Sequence, residues 1–252
     1  MISVVCVYNR KDLLERYLLE SLERQKAEHE RILLDNTAHR FKSAAEALNK
    51  GGRSAKGKYV MFAHQDVTLP TSDWLGQAER VLDGLTDLGI AGVAGKAEKG
   101  HKVMTNIEHG EPPRPAGQIP ISEPAKVQTL DECIAIVLKG VFAKLGFDEV
   151  ICDDWHLYVV DYCLSVKNLG LEAYVVPMKA YHRSLGEPVP AGYFKTLEKL
   201  VKKHQGQHKV IMTGYRDWDT SYPVLLQRSK AWRNMVGGTR SVARRVKGGK
   251  SD

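Results

Sequence analysis

A chain of 252 residues with 43% hydrophobic and 27% charged residues can bury a full core and has the balance of a soluble globular protein. It holds no apolar run long enough for a transmembrane helix, and its four cysteines lack any CxxC pair, which favours reduced, buried thiols over disulfides or a zinc site. The net charge of +7 resides in the chain's end, where eight Lys or Arg and the single acid Asp252 follow Ser221; a neutral body argues against a nucleic-acid-binding face.

Ile2–Tyr8 predicts a strand, and with no basic residues before its apolar stretch it does not resemble a signal peptide. Lys11–Gln25 carries Leu14, Tyr17, Leu18, Ser21 and Leu22 at helical spacing. A second strand is expected at Arg31–Asp35. Ser43 with Glu46 three residues on makes a capping-box start for a helix that Gly51-Gly52 closes. Tyr59–Ala63 is a third strand, Thr71–Leu88 a helix and Ile90–Ala94 a fourth strand. Repeated βα units imply a parallel sheet covered by helices on both faces. Residues 96–125 hold eight Gly or Pro, which predicts an irregular insertion, either a lid or surface decoration, with a hairpin around Lys102–Glu108. Regular structure resumes at Val127–Leu130, Ile134–Leu138 and a short helix Val141–Leu145. A helix capped by Asp153 or Asp154 runs to about Leu169 and stops at Gly170. A strand at Ala173–Val176 and a helix at Tyr193–Lys203 complete one domain, 1–205. The remainder, 206–252, is expected to be a basic, partly disordered extension.

The most informative stretch is the third strand, which leads without a break into His64-Gln65-Asp66. A carboxylate at the C-terminal edge of a parallel strand stands where open α/β sheets bind ligands. It can hold a divalent cation or face a diphosphate, and His64 lies two residues away on the same side of an extended chain. The alternative is an ordinary polar turn. Gly51-Gly52 with Gly57 lacks the spacing of a phosphate loop and precedes its strand instead of following it. Asp153 and Asp154 stand about two helical turns before Asp161, so one can share its face; either can equally be only a helix cap. Trp155 can stack on a sugar or fill a core, and His156 and Tyr158 are equally open. His39, His101, His109, His204 and His208 show no ligand spacing and are expected at the surface.

Taken in order, these residues resemble family 2 glycosyltransferases of the GT-A fold, most closely the subgroup related to a streptomycin-biosynthesis protein. The likeness runs from about Ile2 to Ser184. Ser3 to Arg10 is similar to the family's first strand and base-receiving turn, and Asp35-Asn36 to its acid against base or ribose. Asn49-Lys50-Gly51 and Ala55 to Val60 look like the stretch leading into the third strand. His64-Gln65-Asp66 falls at the DxD-type motif, with His64 in place of the usual Asp. Asp161 to Lys167 with Gly170 resembles the helix carrying the catalytic base, and Tyr181 to Ser184 the segment whose His faces the diphosphate.

The resemblance implies a Rossmann-like mixed sheet flanked by helices, and transfer of a sugar from a nucleotide-diphosphate donor, UDP favoured, to an acceptor hydroxyl by inverting single displacement. Tyr8, Asn9, Arg10, Asp35, Asn36, Asn49, His64, Gln65 and Asp66 would bind the donor. Asp66, His182 and His64 would hold a divalent cation, Mn2+ before Mg2+ because imidazole replaces a hard oxygen ligand. Asp161 is the first choice of base, with Asp154 and Asp153 as alternatives. Trp155 and His156 would meet the acceptor, a glycan, a lipid-linked sugar or a small molecule. A cytoplasmic enzyme is expected, its basic end solvated, bound to an acidic partner or resting on anionic lipid. The rival readings are a catalytically silent nucleotide-sugar-binding scaffold and a sugar nucleotidyltransferase. The second normally needs a Gly-rich loop after the first strand, where this chain has Tyr8-Asn9-Arg10-Lys11.

Overall fold

The computed structural model describes residues 1–98, 102–117, 119–184 and 189–229. β1 (Ile2–Tyr8) is buried over its first five residues, and the chain then turns into α1 (Lys11–Leu13), a π-helical stretch (Leu14–Leu19) and α2 (Glu20–Glu23), one after another. β2 (His29–Asp35) pairs parallel with β1, and α3 (Ala44–Ser54) returns across the sheet to β3 (Tyr59–Ala63), parallel to β1 on its other side. Ser43 Oγ accepts the Glu46 N–H at 3.1 Å, as a capping residue should, while the Glu46 carboxylate takes the N–H of Lys42. The helix does not stop at Gly51-Gly52. A Cβ there would lie 2.4 Å from Val5 Cγ1 or 2.2 Å from Phe142 Cε1, so the pair serves close helix-to-sheet approach and not termination.

Beyond β4 (Val67–Thr68), α4 (Trp74–Asp83) and β5 (Leu88–Gly92) come β6 (Ala94–Lys96), β7 (Val103–His109), β8 (Arg114–Pro115), β9 (Ala125–Val127) and β10 (Thr129–Leu130). The insertion is therefore more regular than its Gly and Pro content suggests, because β7 pairs with β6, β8 and a later strand. β11 (Ile134–Leu138) then enters the main sheet between β3 and β5 and antiparallel to both, so the sheet is mixed instead of all-parallel. α5 (Lys139–Leu145) is followed by α6 (Tyr158–Val166), β12 (Glu172–Val175), β13 (Lys179–His182) and α7 (Ala191–His204). The main sheet has the order β2-β1-β3-β11-β5-β12-β9, and a smaller one the order β10-β6-β7-β13-β4.

Apolar layers cover both faces of the main sheet. Val4, Met61 and Ile136 meet Leu14, Leu18 and Trp74 on one side; Val5, Val60 and Phe62 meet Leu48, Phe142 and Tyr162 on the other. A third cluster joins α6 and α7 to a hairpin, β14 (Val210–Met212) with β15 (Asp217–Asp219), and to α8 (Val224–Arg228), around Leu164, Leu197 and a fully buried Trp218. The hairpin is tied back to β10: Thr129 Oγ1 donates to the Met212 carbonyl, and the Met212 N–H to Gln128 Oε1. Residues of 206–229 thus pack against α6, α7 and the start of β10. The disorder expected further on lies outside the described residues.

α6 starts at Tyr158, four residues after Asp154 and five after Asp153, the expected caps. Its N-cap is Leu157, in the left-handed conformation at φ 70°, and all nine helical residues are buried. A non-glycine residue there costs about 1–2 kcal/mol, which the burial of Leu157 in the third cluster offsets.

Candidate active site

Two strand registers assemble the site. Because β11 runs antiparallel with Ile134 opposite Ala63, the residues before β11 lie beside those after β3, and the His64 N–H donates to the Cys133 carbonyl at 2.9 Å. Because β13 runs antiparallel to β4 with His182 opposite Val67, His182 comes alongside Asp66. The outcome is a cluster of His64, Asp66 and His182 whose ligating atoms all lie within 4.8 Å of one another. His182 Nε2 is 3.3 Å from Asp66 Oδ1, and the two imidazoles lie 5.4 Å apart between ring centres, tilted by 59°. Tyr158 places its hydroxyl 3.5 Å from His64 Nε2.

The electrostatics divide these groups. Burial, then the charge of His182, pushes the His64 pKa down to about 4, leaving a neutral imidazole with a lone pair at ordinary pH. For Asp66 burial acts upward, but the bond to His182 and its charge prevail and hold the carboxyl below its usual range. The reverse holds at His182, where burial acts downward and Asp66 more than compensates, raising the pKa. Two imidazole nitrogens and an ionised carboxylate fit a cation that accepts mixed nitrogen and oxygen ligands.

The cluster opens into a cavity of about 420 Å³, within the range of small-ligand pockets, lined by Tyr8, Asn9, Asn36 and His39 on one side and Trp155 and Tyr158 on the other. Gln65 braces it: its Oε1 accepts the N–H groups of Asn9 and Arg10 at 3.1 and 2.9 Å, and its Nε2 donates to Asn9 Oδ1. Asn36 is buried, with its Oδ1 on the Phe41 N–H. A larger hollow of about 630 Å³ over β2 and α3 contains Asp35, Arg40 and Lys50 but no member of the cluster, so the smaller cavity is where the chemistry converges.

Several expected residues fall elsewhere. Asp161, the first choice of base, is only 2% exposed and is bonded to His204 Nε2 and Lys203 Nζ, both at 2.8 Å, on the α7 side of α6. It lines no part of the cavity and has no open direction toward an acceptor. Asp153 pairs with Lys199 at 2.6 Å at the surface. Asp154 accepts the Trp155 N–H, and a Cβ on Gly192 would run into its other oxygen, so it packs against the start of α7. Asn49 lines no part of the cavity, and its amide serves the Phe147 N–H, the Phe147 carbonyl and Glu149. Arg10 lies in an exposed pair with Asp12, and Asp35 holds the N–H and hydroxyl of Thr37.

Other groups at the site were not expected. His39, at φ 50°, lines the cavity. Asp131 and Glu132 stand just before β11, and the charge of Asp131 is felt at both His64 and His182. Glu132 Oε2 is 3.7 Å from His156 Nδ1. The only sequence signal for the two acids was a polar break between Leu130 and Ile134, which reads equally as a turn. No helix of the described residues is long and apolar enough to cross a membrane, and all four cysteines are free and buried.

A protein of Fuscovulum blasticum, ATP synthase subunits region ORF 6, is 28% identical over 196 residues, 71% of this chain and 74% of that one. Among solved structures, mannosyltransferase PcManGT from Pyrobaculum calidifontis, in complex with GDP-Man and Mn2+, aligns with a TM-score of 0.54 at 16% identity, over 82% of this chain and 65% of that chain. GalNAc-T7 with UDP, GalNAc and Mn2+ gives 0.56 at 13% identity, over 81% and 48%. TarS 1–349 from S. aureus with UDP-GlcNAc gives 0.52 at 14% identity, over 80% and 66%. This chain thus spans only 48–66% of the length of these structures, and at such identities the likeness is one of fold, the GT-A fold. The model of the glycosyltransferase-like family matches residues 3–183, and the chain belongs to that family.

Proposed function

We propose that this protein transfers a glycosyl group from a nucleoside-diphosphate sugar to an acceptor hydroxyl, in the manner of family 2, by a single inverting displacement. The observation that carries this reading is the convergence of His64, Asp66 and His182 at the end of β3, beside a cavity walled by the β1 and β2 turns. Strand-end turns of this kind receive nucleotides in open α/β sheets. Tyr8, Asn9 and Asn36 would contact the nucleoside, with UDP as the favoured base. Asp66, His64 and His182 would hold a divalent cation, Mn2+ before Mg2+, because Mg2+ prefers oxygen ligands and keeps its waters. Such a cation neutralises the charge that develops on a departing diphosphate. The chain's own part is to keep His64 neutral and Asp66 ionised as ligands, and to fix the β1 turn through Gln65.

The test is a thermal-shift series with UDP, GDP, CDP and ADP, each with and without Mn2+. Binding confined to the folded state raises the melting temperature by mass action. The expected result is stabilisation by one diphosphate that needs Mn2+ and is lost in Asp66→Asn. Stabilisation by none of them at millimolar concentration overturns the reading, and binding without turnover of any sugar nucleotide turns it into that of a silent binding protein.

A further inference from the structure

Single displacement needs a base on the acceptor side, and the three aspartates considered from sequence are each engaged elsewhere. The neighbourhood offers a different pair. Glu132 comes from the link before β11, and its carboxylate is nearly buried, with Oε1 lacking any partner and Oε2 facing His156 Nδ1 at 3.7 Å. His156 is the more open of the two, with 39% of its side chain exposed against 17% for Glu132. His156 is outside that lining but lies along the chain between Trp155 and Tyr158, which belong to it, and its charge is felt at His64. The left-handed Leu157 that follows is anchored in the third apolar cluster, which fixes the backbone from which His156 projects. Its ring packs edge-on against Tyr193 at 5.9 Å, and Tyr193 meets the exposed Tyr215 of the hairpin turn at 6.3 Å. These contacts run from His156 through Tyr193 to the exposed Tyr215.

Building on the donor reading above, we infer that His156, oriented by Glu132, is the base that takes the acceptor's proton. With Nδ1 turned to the Glu132 carboxylate, Nε2 is the nitrogen left for the acceptor. The acceptor oxygen forms its bond to the anomeric carbon as the bond to the diphosphate oxygen breaks, and the electron pair leaves with the diphosphate. The hydroxyl proton passes to Nε2, and the imidazolium later returns it to solvent. Burial pushes the Glu132 carboxyl up and the neighbouring His156 acts against this; as a carboxylate, Glu132 is a positioning residue, steadying the charge that appears on the ring. The groups acting on His156 are consistent with this duty. Glu132, by its nearness and charge, and Asp154 raise the His156 pKa above its ordinary value, against the effect of burial. His64, close enough to feel His156's charge, is neutral at working pH and does not oppose this. A base with its pKa near the working pH is the efficient one.

The experiment follows release of UDP or GDP from UDP-glucose, UDP-GlcNAc and GDP-mannose in Mn2+, with water as the acceptor. His156→Ala is expected to lower kcat about 100-fold or more, with the donor KM within about threefold and the diphosphate thermal shift retained. Added imidazole should restore part of the loss. His156→Gln, which keeps a planar side chain against Tyr193, should be equally slow. Glu132→Gln should lower kcat about tenfold and move the acid limb of the pH profile to lower pH, a shift that a purely structural glutamate would not produce. Turnover by His156→Ala or His156→Gln within about threefold of the parent overturns the base alone. A parent protein that turns over none of these donors overturns the transferase reading, and the base with it.

Discussion

Two histidine–aspartate pairs in this chain share their chemistry and differ in everything around it. At the end of β3, Asp66 and His182 stand 3.3 Å apart with side chains 13% and 19% exposed, beside a second imidazole and an open cavity. Between α6 and α7, Asp161 and His204 stand 2.8 Å apart at 3% and 1% exposure, and Lys203 bridges Asp161 to Asp148. Every lone pair of the second carboxylate that matters is committed, so it serves as a joint between two helices. The first pair has directions left over for a ligand. What separates a site from a joint is the unspent coordination of the residues, not their identity.

The largest expected effect tests the joint. Asp161→Asn removes the charge facing a buried imidazole and Lys203, and should cost about 3–5 kcal/mol in urea unfolding. The matching Asp66→Asn should cost less than about 1 kcal/mol; equal stability losses would erase the contrast. Next, Asp66→Ala should weaken Mn2+-dependent nucleotide binding about 100-fold in calorimetry, whereas a folded Asp161 variant retains it. A smaller effect follows from protonation. His182 must lose its proton before it can serve a cation, and its raised pKa places that loss above the ordinary imidazole value. Mn2+ affinity should therefore climb with pH through the neutral range, by up to about tenfold per unit, and level off above it. His64, with its pKa near 4, is already deprotonated there and contributes no slope. Affinity that is flat from pH 6 to 8 would detach His182 from the site. The smallest change is Tyr158→Phe, which removes a weak contact to His64 and should alter Mn2+ affinity by no more than about threefold.

The sequence made the βα framework legible because its signals are local. The Ser43 cap, the apolar Tyr59–Ala63 run and the helical spacing of Leu14 and Leu18 each describe a segment without reference to its neighbours. His64 and Asp66 were readable for the same reason, since they terminate a strand. Asp161 was chosen from the family pattern alone; α6 is buried all round, and with no polar face helical phase does not tell which side meets the cavity. Glu132 and Asp131 were invisible for a different reason. Their place depends on β11 running against β3, and strand direction leaves no periodic mark in the residues themselves. Asn49 fits the family pattern by type, but its three amide bonds form across about a hundred residues of chain.

Gln65 carries a final consequence. It sits between two cluster residues along the backbone, yet its amide closes the turn after β1 through three hydrogen bonds. The turn after β1 and the cluster of His64, Asp66 and His182 are thereby one mechanical unit, and substitutions in them should not act independently. Asn9→Ala and Gln65→Ala each break part of the same small network, so their combined effect should fall short of the sum of the two. In a family of such chains the two positions would drift together or not at all.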